Sequence, residues 1–162
     1  MKELLAFLPI TIAYLAFRST VSANVPAPDV VLLIVFFMAV RGASLEGLLA
    51  AFVLGYIEDA FTGGVLGSSS FALIIVHITV HLASKKAHFS TPGIRAGGAL
   101  FFSLLKSLLI FAAIRSSGVR AELFWGIAAT AITTGVFAPA AMNLLARLSF
   151  FLNPHGFKNE TQ

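Results

Sequence analysis

The chain has 162 residues, 58% of them hydrophobic and 11% charged, with 16 Phe and no Cys. A mean hydropathy of +0.93 means more apolar surface than a soluble domain of this length can bury, so the composition points to a membrane protein. The formal charge of +4 comes from basic residues scattered at the ends of apolar runs, which argues against a nucleic-acid-binding face. The absence of cysteine excludes disulfides, thiolate nucleophiles and thiolate metal sites.

Gly, Pro and charged residues divide the sequence into six apolar runs, near Leu4–Val21, Asp29–Val40, Leu45–Phe61, Ser69–Ser84, Ile94–Ile114 and Leu123–Leu148. Each is measured against the roughly 20 residues a helix needs to cross a bilayer. The expected fold is an all-α membrane protein of six transmembrane helices. Residues 1–152 are expected to form a single transmembrane bundle, and 153–162 a short cytoplasmic tail. In the first run, Lys2, the apolar stretch and Val21-Ser22-Ala23 have the layout of a signal peptide. Arg18 interrupts that layout ahead of the cleavage position, so the run is read as a retained span. The second run, bounded by Pro26, Pro28 and Arg41, is short. It must thin the bilayer, borrow flanking residues or insert only partly. Beyond Arg147 the last run continues as an interfacial stretch that ends at Pro154.

With the N-terminus inside and six spans, Lys2, Arg41, Lys85, Lys86, Arg95, Arg147 and Lys158 fall on the cytoplasmic side, against Arg18, Arg115 and Arg120 outside. This bias places both termini in the cytoplasm and the Gly63–Gly67 turn at the outer face.

Along the third run Ala43, Gly47, Ala51, Gly55, Asp59 and Gly63 recur every four residues, a stripe of small side chains that lets helix backbones approach closely. It serves either packing within the bundle or docking to another membrane subunit. Gly126, Thr130, Thr134 and Ala138 form a second such stripe. Two acids, Glu58 and Asp59, stand where the third run ends, and they diverge by about 100° on a helix. Asp59, in line with the stripe, is expected to be packed, capping the glycine turn or meeting a cation. Glu58 is expected to reach the outer water more easily. A catalytic carboxylate pair is disfavoured because nothing nearby supplies a nucleophile.

Lys106 lies near the middle of the fifth run, beside Ser103 and Ser107, and a cation at that depth demands a partner. Glu58 or Asp59 would supply it if the third and fifth spans are neighbours. His77 and His81 have the spacing of two metal ligands, but the intervening Ile78-Thr79-Val80 lacks a zincin glutamate and no third ligand shares the span. They are read as paired polar packing, and no metal or cofactor is assigned. Gly63-Gly64-Val65-Leu66-Gly67-Ser68 lacks the lysine of a phosphate-binding loop.

Taken together, Pro28 opening a short apolar span, Arg41-Gly42 at a tight inner turn, Gly47 through Phe52, and Gly55-x-x-x-Asp59-x-x-x-Gly63-x-x-Leu66-Gly67 resemble the MreD family of bacterial rod shape-determining membrane proteins. The resemblance centres on Pro28 to Ser84. It implies a six-helix fold like that of the substrate-binding subunits of energy-coupling-factor transporters, and no catalytic activity. It also implies the bacterial inner membrane, with MreC as partner and, through the complex, MreB, RodA and penicillin-binding protein 2. Gly55, Asp59, Gly63, Leu66 and Gly67 are implied as fold-and-interface residues, whereas no role for Glu58 carries over. The alternative is a vitamin- or metal-capturing transporter subunit, for which Trp125, Tyr14 and Tyr56 are a sparse aromatic set.

Overall fold

The computed structural model describes residues 2–21, 27–42, 44–63, 65–85, 91–116 and 124–152, with side chains for 7–20, 27–42, 44–63, 65–85, 91, 93–113 and 128–150. Ala43, Gly64, Lys86, Arg120, the cleavage position at Ser22-Ala23 and the segment from Asn153 onward lie outside the described residues. The side chains of Lys2, Arg115 and Trp125, and the surroundings of Gly126, lie outside those described as well.

Every described element is helical: α1 (Lys2–Val21), α2 (Val30–Arg41), α3 (Leu45–Thr62), α4 (Ser68–Ser84), α5 (Pro92–Ser116) and α6 (Phe124–Leu152). Among the described residues two stretches are long and apolar enough to cross a membrane, Gly93–Ala113 in α5 and Ala128–Phe150 in α6.

The helix ends follow local chemistry. Asp29 caps α2, its carboxylate accepting from the Leu32 N–H at 2.9 Å, and Ser44 caps α3 through the Gly47 N–H at 3.0 Å, as short polar side chains do at helix starts. Proline suits the first helical position because its missing N–H would lack an intrahelical partner there; α5 opens on Pro92. At the C-terminus of α3, Gly63 adopts φ 67° and its N–H returns to the Asp59 carbonyl, a left-handed cap that costs glycine nothing. The last helix runs unbroken past Arg147 to Leu152, the last described residue.

The topology places the shortest helix at the centre. Residues Val31 to Ala39 of α2 are all buried, and α2 packs against each of the other five helices. A helix apolar all round belongs inside a bundle. Its length of about 18 Å therefore needs no matching bilayer thickness, because neighbouring helices surround it instead of lipid. Around it are two antiparallel hairpins, α3 with α4 and α5 with α6, with α4 also packed on α5 and α1 on α3.

Large apolar side chains cover the outside, among them Phe17, Phe52, Phe71, Phe101, Leu108 and Val136. The buried interior, by contrast, holds Asp29, Glu58, Asp59, His77 and Lys106. Apolar groups outward and ionisable groups inward is the arrangement expected when the surrounding solvent is hydrocarbon.

Candidate functional site

The charged centre is built from three helices. Asp29 stands at the start of α2, Glu58 in the last turn and a half of α3, and Lys106 midway along α5. Lys106 Nζ donates to Asp29 Oδ2 at 2.6 Å and to both Glu58 oxygens at 2.8 and 2.7 Å. An ammonium has three N–H donors, and three acceptors surround this one. Asp29 is held further by its own N–H donating to Thr134 Oγ1 of α6 at 2.8 Å, and Thr134 Oγ1 in turn donates to the Thr130 carbonyl. The cluster therefore ties α2, α3, α5 and α6 together. The Tyr14 hydroxyl of α1 donates to the Pro28 carbonyl next to it. Each of these charges alone in an apolar interior would be strongly destabilising; hydrogen-bonded to one another they are compensated.

Glu58 is only 6% exposed, which corrects the expectation that it reaches the outer water. Its helix position turns it inward toward α5, and Lys106 provides the neutralising charge that makes burial tolerable. The partner of Lys106 is thus Glu58, joined by Asp29, and not Asp59. Asp29 was not anticipated in this role, because at the edge of an apolar run it reads as a boundary marker. The available signal was its position directly after Pro28, where an N-cap carboxylate has a second oxygen to offer.

Asp59, 2% exposed, does a different task. Its carboxylate accepts from the Gly67 N–H at 2.7 Å, from the Ser69 N–H at 3.1 and 3.2 Å, and from Ser68 Oγ at 3.3 Å. Gly67 is the N-cap residue of α4 and has no side chain with which to cap it. The acid eight residues earlier supplies that function and places negative charge at the positive end of α4. Of the two roles considered for Asp59, capping is the one its contacts describe.

Gly47 and Gly55 of the stripe lie between α3 and α4. A Cβ on Gly55 would sit 2.5 Å from the Ser70 backbone N and Cα, and one on Gly47 would sit 2.4 Å from the His77 ring. Ala51 is fully buried, and Ser70 Oγ bridges the hairpin to the Phe52 carbonyl at 2.9 Å. Backbones this close are what small residues permit. Gly63 and Leu66 are exposed and Gly67 is half-buried. In the second stripe Thr134 and Ala138 are buried, and the neighbouring Gly135 packs against Leu100 of α5.

His77 is 1% exposed, and neither of its ring nitrogens has a hydrogen-bond partner; the Val35 carbonyl lies beside the ring. His81 Nδ1 is likewise buried and unpartnered. No group of three or more His, Cys, Asp or Glu side chains is placed to hold a metal ion among the described residues.

A helical bundle with an apolar exterior and an ion cluster at its centre defines an integral membrane protein. Residues 3–152 match the family model described as rod shape-determining protein MreD, and the chain belongs to the MreD family. The family's role is the determination of rod shape. Neither the curated proteins nor the solved structures yielded a match.

Proposed function

We propose that this chain is a non-catalytic scaffold or regulatory subunit of the bacterial cell-elongation complex, linking the MreB filament and MreC to lateral peptidoglycan synthesis by RodA and penicillin-binding protein 2. In this reading it sits in the cytoplasmic membrane with six spans and both termini in the cytoplasm, and its fold is akin to that of energy-coupling-factor substrate-binding subunits. Family membership over residues 3–152 carries the proposal.

The interior supports it. Lys106, Asp29 and Glu58 are engaged with one another, and Asp59 is engaged with the α4 cap. Groups committed in this way hold helices in register. Gly47, Ala51, Gly55 and Asp59 then serve the α3–α4 contact, while Gly63 and Leu66 remain at the surface for a neighbouring subunit.

Depletion in the source bacterium should turn rods into spheres, and a tagged chain purified from native membranes should bring MreC with it. Rods that persist with normal wall insertion, while uptake of a vitamin fails, would replace the scaffold with the transporter-subunit reading.

A further inference from the structure

A cavity of about 300 Å³ opens between α3 and α4 at the end of the bundle that holds the α2–α3 turn, lined by Ser44, Leu45 and Leu48 of α3 and by His77, His81 and Leu82 of α4, with Ile78 on its wall. It lies apart from the ion cluster and opens to the surroundings of a bundle that sits in a bilayer. Most of the lining is carbon, yet three buried imidazole nitrogens of His77 and His81 make no well-formed hydrogen bond, the Val35 carbonyl beside His77 being the polar group nearest to hand. A neutral imidazole carries one donor and one acceptor, and leaving them unmet in hydrocarbon is costly. Something that hydrogen-bonds and is otherwise apolar would complete the site.

At the mouth the start of α3 favours negative charge, opposed by Glu46 in its first turn and by the C-terminal end of α4, beyond which Lys85 adds a cation. Ser44 is the N-cap of α3, whose positive end faces the opening. Its Oγ accepts from the Gly47 N–H, so its proton is left for an outside acceptor. On α4 the residues His77, His81 and Lys85 recur every four positions on one face, from fully buried His77 to exposed Lys85. Glu46 in the first turn of α3 and Lys85 just past α4 both flank the cavity without lining it. A two-histidine metal site is the weaker fit, since no third ligand joins the pair among the described residues.

We propose that this cavity seats an anionic phospholipid from the adjoining leaflet. The phosphate lies at Ser44 and His81, with Lys85 one helical turn beyond the lining, and an acyl chain runs against Leu48 and Ile78. His77, about 6 Å deeper along the helix axis, meets the glycerol ester oxygens.

Native mass spectrometry of the purified full chain, titrated with phosphatidylglycerol or phosphatidylethanolamine, tests the assignment. The wild type should retain phosphatidylglycerol preferentially. Lys85→Gln, at an exposed position that leaves packing intact, should lower that retention about fivefold, the worth of one cation beside an anionic surface. His77→Leu combined with His81→Leu should lower the retention of both lipids. Equal retention of the two lipids by the wild type overturns the proposal, as does an equal loss from Arg147→Gln, which removes an exposed charge from α6. Thermal stabilisation by Zn²⁺ alone, with none from phosphatidylglycerol, overturns it in favour of a metal site.

Discussion

Lys106 donates to both carboxylate oxygens of Glu58, at 2.8 and 2.7 Å, across 48 residues of sequence. The same ammonium holds Asp29 at 2.6 Å, 77 residues away. α5 packs chiefly on α6 and α4, so the length of the lysine stem, and not close helix contact, brings α5 to Glu58.

Removing that cation leaves two carboxylates buried without compensation. Lys106→Met should destabilise the bundle by about 3–5 kcal/mol, read as a lower unfolding midpoint in detergent and a lower membrane abundance. Adding Asp29→Asn and Glu58→Gln to Lys106→Met should recover much of the loss, because the uncompensated charge disappears. A single variant as stable as the wild type would show that the cluster is not a structural tie.

Gly55 faces backbone atoms that cannot rotate away, whereas Gly47 faces the end of a histidine side chain. Gly55→Leu should therefore reduce folded protein far more than Ala51→Gly, and Gly55→Ala more than Gly47→Ala. Abundance in membranes and monodispersity after extraction provide the comparison. Matching yields for Gly55→Leu and wild type would place this helix face away from α4.

Asp59→Asn retains a carbonyl oxygen able to accept from the Gly67 and Ser69 N–H groups, and loses only the charge at the start of α4. A cost of about 1 kcal/mol is expected. Asp59→Ala strips both N–H groups of their acceptor and should cost clearly more in the same unfolding measurement. If the two substitutions proved equally damaging, the charge would matter more than the cap.

Single cysteines introduced at Leu66 and Ser84, near opposite ends of α4 in a chain with no native cysteine, read the orientation directly. Leu66→Cys, at an exposed position in the turn, should react with an impermeant reagent applied outside cells. Ser84→Cys should react only after permeabilisation. The opposite pattern would invert the basic-residue reading of topology.

The helices were legible in the sequence because their signals are local. Apolar runs broken by Gly, Pro and charge act within a few residues, so the expected and observed bounds agree closely, from Leu4–Val21 against Lys2–Val21 to Ser69–Ser84 against Ser68–Ser84. The four-residue stripe through Gly47 and Gly55 announced close packing but not its partner, which proved to be α4. The charges were harder. Glu58 and Asp59 are adjacent, and only the rotation of α3 within the bundle sends one to Lys106 and the other to the α4 cap. Asp29 looked like the edge of a span until α2 took the central position and carried it beside α5. Hydrogen bonding along one helix depends on neighbours in sequence, but which buried charge compensates which is decided by distances between helices, and these exist only once the bundle has packed.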